Sequence, residues 1–322
     1  MGGDRAPEAI VAGARAAASD DVVPVLFGPR SVLEPLADGL EIADAEQVVA
    51  MDEKPSDALR EKRESSLFRA CRAVHDRTAD AVVGAGNTGA MVAAGLVEIR
   101  RLADVHRPAI AVPLPALGGP SILIDAGANA DARAEHLVQF AYMGAVFAEE
   151  IVGLTSPNVA LLSIGEEPEK GNRLVREAHD ELAAAPGLRF AGNVEGRDLL
   201  RKAADVVVCD GYTGNMALKL LEGTIQTTLE AFRDEVSGSL RGKFGGLLIR
   251  PAARALRTRL DPDTYGGAYL LGLRGLVVIA HGNSSATAIA NAVRYAARGV
   301  AGGVVDRVAE RLATRVRETA AQ

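Results

Sequence analysis

Five short turns built from Gly, Asn and Asp carry the residues of this sequence best suited to chemistry. They span residues 84–90, 125–129, 165–172, 192–198 and 209–215, and each is predicted to follow an apolar, strand-like run. A glycine in such a turn lets the backbone approach a ligand, and the helix that follows aims free N–H groups at it. Five such turns at the ends of successive strands predict one binding face for an anionic ligand.

The first turn, residues 84–89, has the Gly-x-Gly-x-x-Gly spacing of a dinucleotide site. Such a site needs an acidic residue ~20 positions later to hold the ribose. Residues 109–115 contain two prolines and no acid, which argues against a nicotinamide cofactor. The side chains of Asn87 and Thr88 suit a compact oxyanion, and a tight turn needed for packing alone stays a second interpretation.

Asp125 could hold a metal ion, and Asn129 could polarise a carbonyl group. A single carboxylate is poor support for magnesium, and an Asp that caps the next helix is an equal alternative. We therefore predict no metal and no cofactor. Lys170 precedes a helix, where its charge opposes the helix dipole unless an anion binds there too. Phosphate binding by Lys170 and a simple surface loop neutralised by its glutamates both stay open.

Cys209 ends an apolar run, and as a nucleophile its thiol would need a base such as the distant His281. Core filling is the commoner role of such a cysteine, so we assign the function of this turn to Asp210, Gly211, Gly214 and Asn215. His281 follows another strand and could titrate near neutral pH, or could simply be a hydrogen-bonded residue at a strand end.

Composition limits the classes of protein to which the chain can belong. It has 322 residues, 48% hydrophobic residues, a net charge of −6 and two cysteines. These values favour a soluble cytoplasmic protein without a disulfide framework, and they argue against nucleic-acid binding. No signal peptide is evident, and no run approaches the ~20 apolar residues that span a bilayer.

Short apolar runs alternate with helical patterns along the whole chain. The predicted strands are residues 22–27, 81–83, 109–112, 122–124, 159–164, 206–208 and 276–279. The predicted helices include residues 8–18, 135–152, 171–184, 216–235 and 304–321. This order predicts one domain, residues 1–322, folded as a three-layer α/β/α sandwich with a mostly parallel Rossmann-like sheet.

Residues 236–265 interrupt this alternation. The segment has six basic residues, no acid between Glu235 and Asp261, and leucines at roughly helical spacing. It is either a helical connection with a solvated basic face or a protruding amphipathic insertion that meets an anionic membrane or an acidic protein.

Taken in order, the motifs resemble the bacterial acyl-ACP:phosphate acyltransferase family. They are Met-Gly-Gly-Asp, Gly-Asn-Thr-Gly-Ala, Asp-Ala-Gly-Ala-Asn, Gly-Glu-Glu-x-x-Lys-Gly, Gly-Asn-x-Glu-Gly-Arg-Asp, Cys-Asp-Gly-x-x-Gly-Asn, Leu-Asp-Pro-x-x-Tyr-Gly-Gly-Ala and Ala-His-Gly. The resemblance implies transfer of a fatty acyl group from acyl carrier protein to inorganic phosphate, giving acyl phosphate for phospholipid synthesis. It also implies a fold related to phosphate acetyltransferases, a homodimer, and peripheral attachment to the inner face of the cell membrane.

On this interpretation phosphate attacks the thioester directly, and the catalytic residues are Lys170, Asn215 and His281. The expected substrate-binding residues are Gly3, Asp4, Gly86, Asn87, Thr88, Gly89, Asp125, Asn129, Asn193, Asp210, Gly211 and Gly214. The expected membrane or carrier-protein contacts are Leu247, Leu248, Ile249, Arg250, Arg254 and Arg257.

Two other functions stay open: a short-chain phosphate acyltransferase that uses coenzyme A, and a non-catalytic module that senses phosphate esters and docks on membranes. The family also usually has a strand ending in Asp-Ala before Met-Gly-Gly-Asp, and a His where this chain has Arg5. We expect that a misplaced start accounts for the missing strand.

Overall fold

The computed structural model describes residues 1–261, 264 and 266–320. The residues at positions 262, 263 and 265 of the predicted basic segment, and Ala321 of the predicted final helix, lie outside the described residues. The described strands are β1 (Val25–Gly28), β2 (Glu41–Asp44), β3 (Ala81–Gly84), β4 (Ala109–Leu114), β5 (Ser121–Ile124), β6 (Asn158–Ser163), β7 (Arg189–Glu195), β8 (Val206–Val208), β9 (Ala268–Leu271) and β10 (Leu276–Ile279).

Eleven α-helices are described, and helical turns extend two of them. They are α1 (Glu8–Ala17), α2 (Arg30–Ala37), α3 (Pro55–Glu61), α4 (Ser66–His75), α5 (Thr88–Ala94), α6 (Ala134–Phe147), α7 (Arg173–Ala183), α8 (Gly211–Ser237), α9 (Leu240–Leu260), α10 (Ala286–Ala301) and α11 (Val304–Ala320). Short π-helical segments continue α5 over Gly95–Ile99 and α6 over Ala148–Val152, and a short 3₁₀ helix spans Gly196–Arg201.

The central sheet has eight strands in the order β3-β10-β9-β4-β5-β8-β6-β7, and β1 and β2 form a separate parallel pair. The strand predicted over residues 22–27 therefore exists as β1 but does not join the central sheet. Five of the eight described strand pairings are parallel, while β4 pairs antiparallel with both β5 and β9, and β9 also with β10.

Helices cover both faces of the central sheet, which confirms the predicted three-layer sandwich. One core contains Phe140, Phe147 and Tyr295 and packs α6, α10 and α11 on one face. The other contains Phe68 and Met91 and packs α4 and α5 on the opposite face, with partly buried residues of α8. Because β5 and β8 are buried on both faces, they read as continuous apolar runs, which made them visible in the sequence.

Helices α8 and α9 form a hairpin, in which α8 packs along α9. Gly242 lies close to the carbonyl oxygen of Val236, where an added Cβ would come within 2.4 Å of that oxygen. No residue of α9 is buried. None of the helices in the described ranges is long and apolar enough to cross a membrane.

Candidate functional site

The strand directions divide the Gly-rich turns between the two ends of the central sheet. β3, β4 and β10 run one way and β5 to β9 run the other way. We call the end where β3 and β10 finish the upper end, and the end where β5, β6, β7 and β8 finish the lower end. Residues 84–90 and His281 therefore lie at the upper end, and residues 125–129, 165–172 and 209–215 at the lower end.

The prediction that all five turns share one face is therefore wrong. β3 and β8 are five strand spacings apart, or ~24 Å, in addition to ending at opposite ends of the sheet. A single phosphate ion cannot contact both the turn at residues 86–89 and the turn at residues 211–214. The turn at residues 192–198 differs in another way, because its first four residues belong to β7 itself.

Asp125 organises the lower end. Its side chain is fully buried, and Oδ1 accepts hydrogen bonds from the backbone N–H groups of Ile110, Gly127 and Ala128, at 2.9, 3.1 and 3.0 Å. Oδ2 accepts from the backbone N–H of Asn129 at 2.7 Å and from its side-chain amide at 2.8 Å. Burial raises the pKa of Asp125, while these hydrogen bonds lower it. Both oxygens are occupied, so the geometry favours a structural role over contact with a substrate.

The turn that follows β5 (residues 125–129, the β5 turn) and the turn that follows β8 (residues 209–215, the β8 turn) are hydrogen-bonded to each other at the start of α8. The side-chain amide of Asn129 also donates to the carbonyl of Pro108 at 2.7 Å, and the backbone carbonyl of Asn129 accepts from the N–H of Gly211 at 2.8 Å. Asp210 caps α8, with its carboxylate accepting from the backbone N–H and the hydroxyl of Thr213. Like the side chain of Asp125, those of Asn129 and Asp210 form hydrogen bonds that hold the conformation of these turns.

The closest approach between these turns is at Gly214. A Cβ added there would lie 1.9 Å from the carbonyl oxygen of Asp125, far inside any real contact. At Gly211 an added Cβ would meet the backbone of Asn129 and Oδ2 of Asp125, each at 2.7 Å. Both glycines are therefore explained by packing of α8 against the β5 turn.

Two polar side chains at the lower end have no such structural duty. Asn215, in the first turn of α8, and Lys170, in the β6 turn, are both exposed, and neither side chain has a partner among the residues described. β6 and β8 are neighbouring strands, ~5 Å apart in the sheet, so the segments that carry these side chains follow adjacent strand ends. The lower end thus has a carboxamide without a described partner in the first turn of α8, and an ammonium group without one in the segment that follows β6.

Asn193 lies within β7 and is buried. Its amide donates to the carbonyl of Glu167 at 2.8 Å, and its oxygen faces Nδ1 of His179 at 3.0 Å. It was predicted to contact substrate, but its hydrogen bonds go instead to the turn that carries Lys170. His179 was not singled out from the sequence, because its place on α7 opposite β7 is a tertiary contact.

Three chain segments meet at the upper end. The backbone N–H of Asp4 donates to the carbonyl of Gly282 at 2.7 Å, and Gly3 has φ +96° with an added Cβ only 2.9 Å from the carbonyl oxygens of Ala85 and Gly282. Gly86 lies against Gly2 across the same junction. This packing explains the glycines of Met-Gly-Gly-Asp and of the β3 turn.

Asn87 caps α5, accepting from the N–H of Ala90 at 3.0 Å, and both hydrogens of its amide are donated to backbone carbonyls, those of Met51 and Glu53. Its neighbour Thr88 is exposed, and its hydroxyl has no partner in the described ranges. Gly89 packs on Pro55, where an added Cβ would lie 2.7 Å from Cγ. The amide of Asn87 is therefore not available to an oxyanion, whereas that of Asn215 is.

Helix α8 connects the two ends of the sheet. Nε2 of His281 lies 3.5 Å from Oε1 of Glu222, whose Oε2 accepts from the ammonium group of Lys219 at 2.8 Å. Glu222 is seven residues after Asn215, so the two side chains lie on nearly the same face of α8, ~10 Å apart along its axis. Glu222 was missed from the sequence, although the seven-residue spacing from Asn215 is the signal that could have found it.

The Cys209 thiol is buried and donates to the carbonyl of Asp125 at 3.5 Å. Burial, together with the nearby charges of Asp125 and Asp210, raises its pKa well above the ordinary value. A thiolate at this position is therefore strongly disfavoured, and the sulfur has the core-filling role expected of it.

One group of possible metal ligands occurs in the described part of the chain: His106, Glu135 and His136. Nδ1 of His136 accepts a hydrogen bond from the backbone N–H of Arg133 at 3.2 Å. In the neutral ring its Nε2 must then carry the proton, so the nitrogen that faces Glu135 has no lone pair for a metal. The geometry favours a hydrogen-bonded helix start over a metal centre.

Proteins of known family are similar to this chain over nearly its whole length. A family model described as "Fatty acid synthesis protein" matches residues 1–307. A phosphate acyltransferase of Heliobacterium modesticaldum is 46% identical over 300 residues, which are 90% of this chain and 89% of the relative. A phosphate acyltransferase of Thermobifida fusca is 48% identical over 301 residues, 90% of this chain and 83% of the relative.

Solved structures support the fold. EutD phosphotransacetylase from Staphylococcus aureus superimposes with a TM-score of 0.58 at 15% identity, covering 90% of both chains. A branched-chain phosphotransacylase from Enterococcus faecalis V583 gives a TM-score of 0.53 at 16% identity over 93% of this chain and 96% of that one. The match to the family model and the identity to the curated relatives confirm the resemblance read from the motifs, and the chain belongs to the fatty acid synthesis protein family.

Proposed function

We propose that this protein is an acyltransferase that moves a fatty acyl group from acyl carrier protein to inorganic phosphate, supplying acyl phosphate for phospholipid synthesis. The names of its relatives support acyl transfer to phosphate. The observation that carries the proposal is the pair formed by Lys170 and Asn215: a cation and an amide donor that have no described partner and that follow the neighbouring strands β6 and β8.

In this scheme the Lys170 ammonium group holds the phosphate, aided by the backbone N–H of Tyr212, which has no acceptor among the described residues. A phosphate oxygen attacks the thioester carbon, forming a C–O bond, and the carbonyl electrons move onto oxygen. Asn215 donates to that oxyanion. The electrons then return, the C–S bond breaks, and the thiol leaves as a thiolate that takes a proton from solvent. No covalent enzyme intermediate forms.

His281 has a different place in this proposal from the one the sequence suggested. The ~10 Å along α8 between Asn215 and Glu222 puts the imidazole away from the reacting carbon. We therefore assign His281 to binding the donor at a point distant from the thioester. A thiolate is a good leaving group, so the reaction needs no protein acid there.

Helix α9 is the proposed contact for the acidic carrier protein and for an anionic membrane surface. Leu247 and Leu248 are 63% and 69% exposed, and Arg250, Arg254 and Arg257 have no acidic partner in the part of the chain that the structure describes. Exposed apolar and basic side chains on one helix suit both partners. We further propose a homodimer, attached peripherally to the inner face of the membrane.

Two variants test the assignment: Lys170→Ala and Asn215→Ala should each lower the rate of acyl phosphate formation ~10²–10³-fold, the loss typical of one oxyanion donor. The assay incubates acyl carrier thioester with phosphate and measures hydroxylamine-reactive product. Matched controls are Arg60→Ala on α3 and Gln226→Ala on α8, both exposed and remote from the lower end. Wild-type rates in both test variants would refute the assignment of Lys170 and Asn215 to the active site.

The same assay separates the two alternatives. A coenzyme A enzyme would use acyl-coenzyme A of short chain length in preference to the carrier thioester in direct competition. A non-catalytic phosphate-ester sensor would give no hydroxylamine-reactive product with either donor.

A further inference from the structure

The turn that carries Lys170 is held by a buried amide. The carbonyl oxygen of Glu167 accepts the backbone N–H of Lys170 at 3.0 Å, which closes the turn, and the same oxygen accepts Nδ2 of Asn193 at 2.8 Å. The hydroxyl of Ser163 donates to the carbonyl of Lys170 at 3.3 Å. Through these bonds the backbone of Lys170 is tied to β6 and β7, while its ammonium group stays free.

His179 fixes the direction of the Asn193 amide. Its Nδ1 lies 3.0 Å from Oδ1 of Asn193, a contact in which the imidazole N–H donates and the amide oxygen accepts. The amide NH₂ must then face Glu167. His179 is itself held edge-on against the ring of Phe190, with centroids 5.1 Å apart. The order of contacts therefore runs from α7, through a buried amide in β7, to the turn of Lys170.

We propose that Asn193 and His179 are positioning residues for Lys170. This inference rests on the proposed function, in which Lys170 holds the phosphate. The Lys170 stem is long and flexible, so the position of its ammonium group depends on where the turn places Cα. Without the Asn193 hydrogen bond the Glu167 carbonyl loses its tie to β7, and a displacement of ~1 Å at a reacting group can cost ~10²-fold in rate.

A double-mutant cycle on the rate tests the inference in the full-length protein. Asn193→Ala should lower kcat/KM for phosphate ~10–100-fold when Lys170 is present, but less than ~2-fold in a Lys170→Ala background. His179→Ala should behave like Asn193→Ala, while His179→Asn, whose amide nitrogen can replace Nδ1 as donor, should restore most of the rate.

Equal losses from Asn193→Ala in both backgrounds would mean a general structural role and would overturn the inference, as would a wild-type rate for Asn193→Ala alone. Hydrogen exchange at the Lys170 amide supplies a readout independent of catalysis, and it should accelerate in Asn193→Ala. If Lys170→Ala keeps the wild-type rate, the catalytic assignment fails; unchanged amide exchange in Asn193→Ala instead shows that the tether itself is absent.

Discussion

Gly214→Ala changes one methyl group at the point where α8 meets the β5 turn. The added Cβ would lie 1.9 Å from the carbonyl oxygen of Asp125, and real Cβ atoms essentially never come within 3.0 Å of another heavy atom. The obstacle is backbone, so no side chain can rotate away. The first turn of α8 must therefore retreat by 3.0 − 1.9, or about 1.1 Å, and Asn215 moves with it.

The expected cost in stability is the balance of three effects. Ala is favoured over Gly in a helix by about 1 kcal/mol. Overpacking costs about 1–3 kcal/mol, and loss of the hydrogen bond from Gly211 N–H to Asn129 adds about 1 kcal/mol. The net loss in free energy of unfolding is therefore about 1–3 kcal/mol. The rate of acyl phosphate formation should also fall, by ~10²-fold, because a 1 Å displacement of a catalytic donor has that effect.

Gly223→Ala is the matched control, because it lies on the same helix and its added Cβ meets nothing within 4 Å. It should keep the wild-type rate and gain up to about 1 kcal/mol. Urea unfolding gives the stabilities, and the hydroxylamine assay gives the rates under conditions in which both variants are folded. Wild-type rate and stability in Gly214→Ala would refute the proposed packing of α8 on Asp125 and the importance of the Asn215 position.

Two further predictions concern the thiol of Cys209 and the exposed apolar residues of α9. Cys209→Ser keeps a donor for the Asp125 carbonyl, so the rate should stay within ~2-fold of wild type and mass spectrometry should find no acylated protein; an acyl group trapped on Cys209 would contradict direct attack. Replacing residues 247–249 by Asp should release the protein from vesicles that contain anionic lipid, because it removes exposed apolar side chains and adds repulsive charge. The control places Asp at Thr227 and Thr228 on α8, and equal binding of both variants would argue against α9 as the membrane contact.

The sequence predicted the elements and the family well, because local signals carry them. The buried runs of β5, β6 and β8 were predicted with nearly the observed bounds, and α7 also lies close to its predicted range. The start of α8 was placed five residues too late, at residue 216 instead of Gly211, because the Gly-rich turn was read as loop. β2, β7 and β9 were not predicted as strands. β2 and β9 are only four residues long, and the second half of β7 was interpreted as the turn at residues 192–198.

The roles of individual turn residues could be predicted far less well. Asp125, Asn129 and Asn87 have the side chains of a binding site, yet each uses its polar atoms to hold neighbouring backbone groups. The same residue types satisfy backbone N–H groups at tight turns and bind anions, so composition cannot separate the two roles. Lys170 and Asn215 are distinguished from them only by what the fold leaves unpaired.

The direction of the strands was the decisive missing information. A Gly-rich turn after a strand predicts a site at the carboxyl end of that strand, and in an all-parallel sheet all such ends coincide. Here β4 pairs antiparallel with β5 across a short connection, so every strand from β5 to β8 points opposite to β3 and β10. The β4–β5 pairing is local, but the antiparallel pairing of β9 with β4 and β10 joins distant parts of the chain, and the apolar sequences of these strands do not specify it. Helix α8 then restores a connection between the two ends, because its first three turns, ~16 Å long, carry Glu222 to His281. A substrate long enough to follow α8 would contact both ends of the sheet, which a phosphate ion alone does not, and the acyl thioester of the proposed function is a long molecule of this kind.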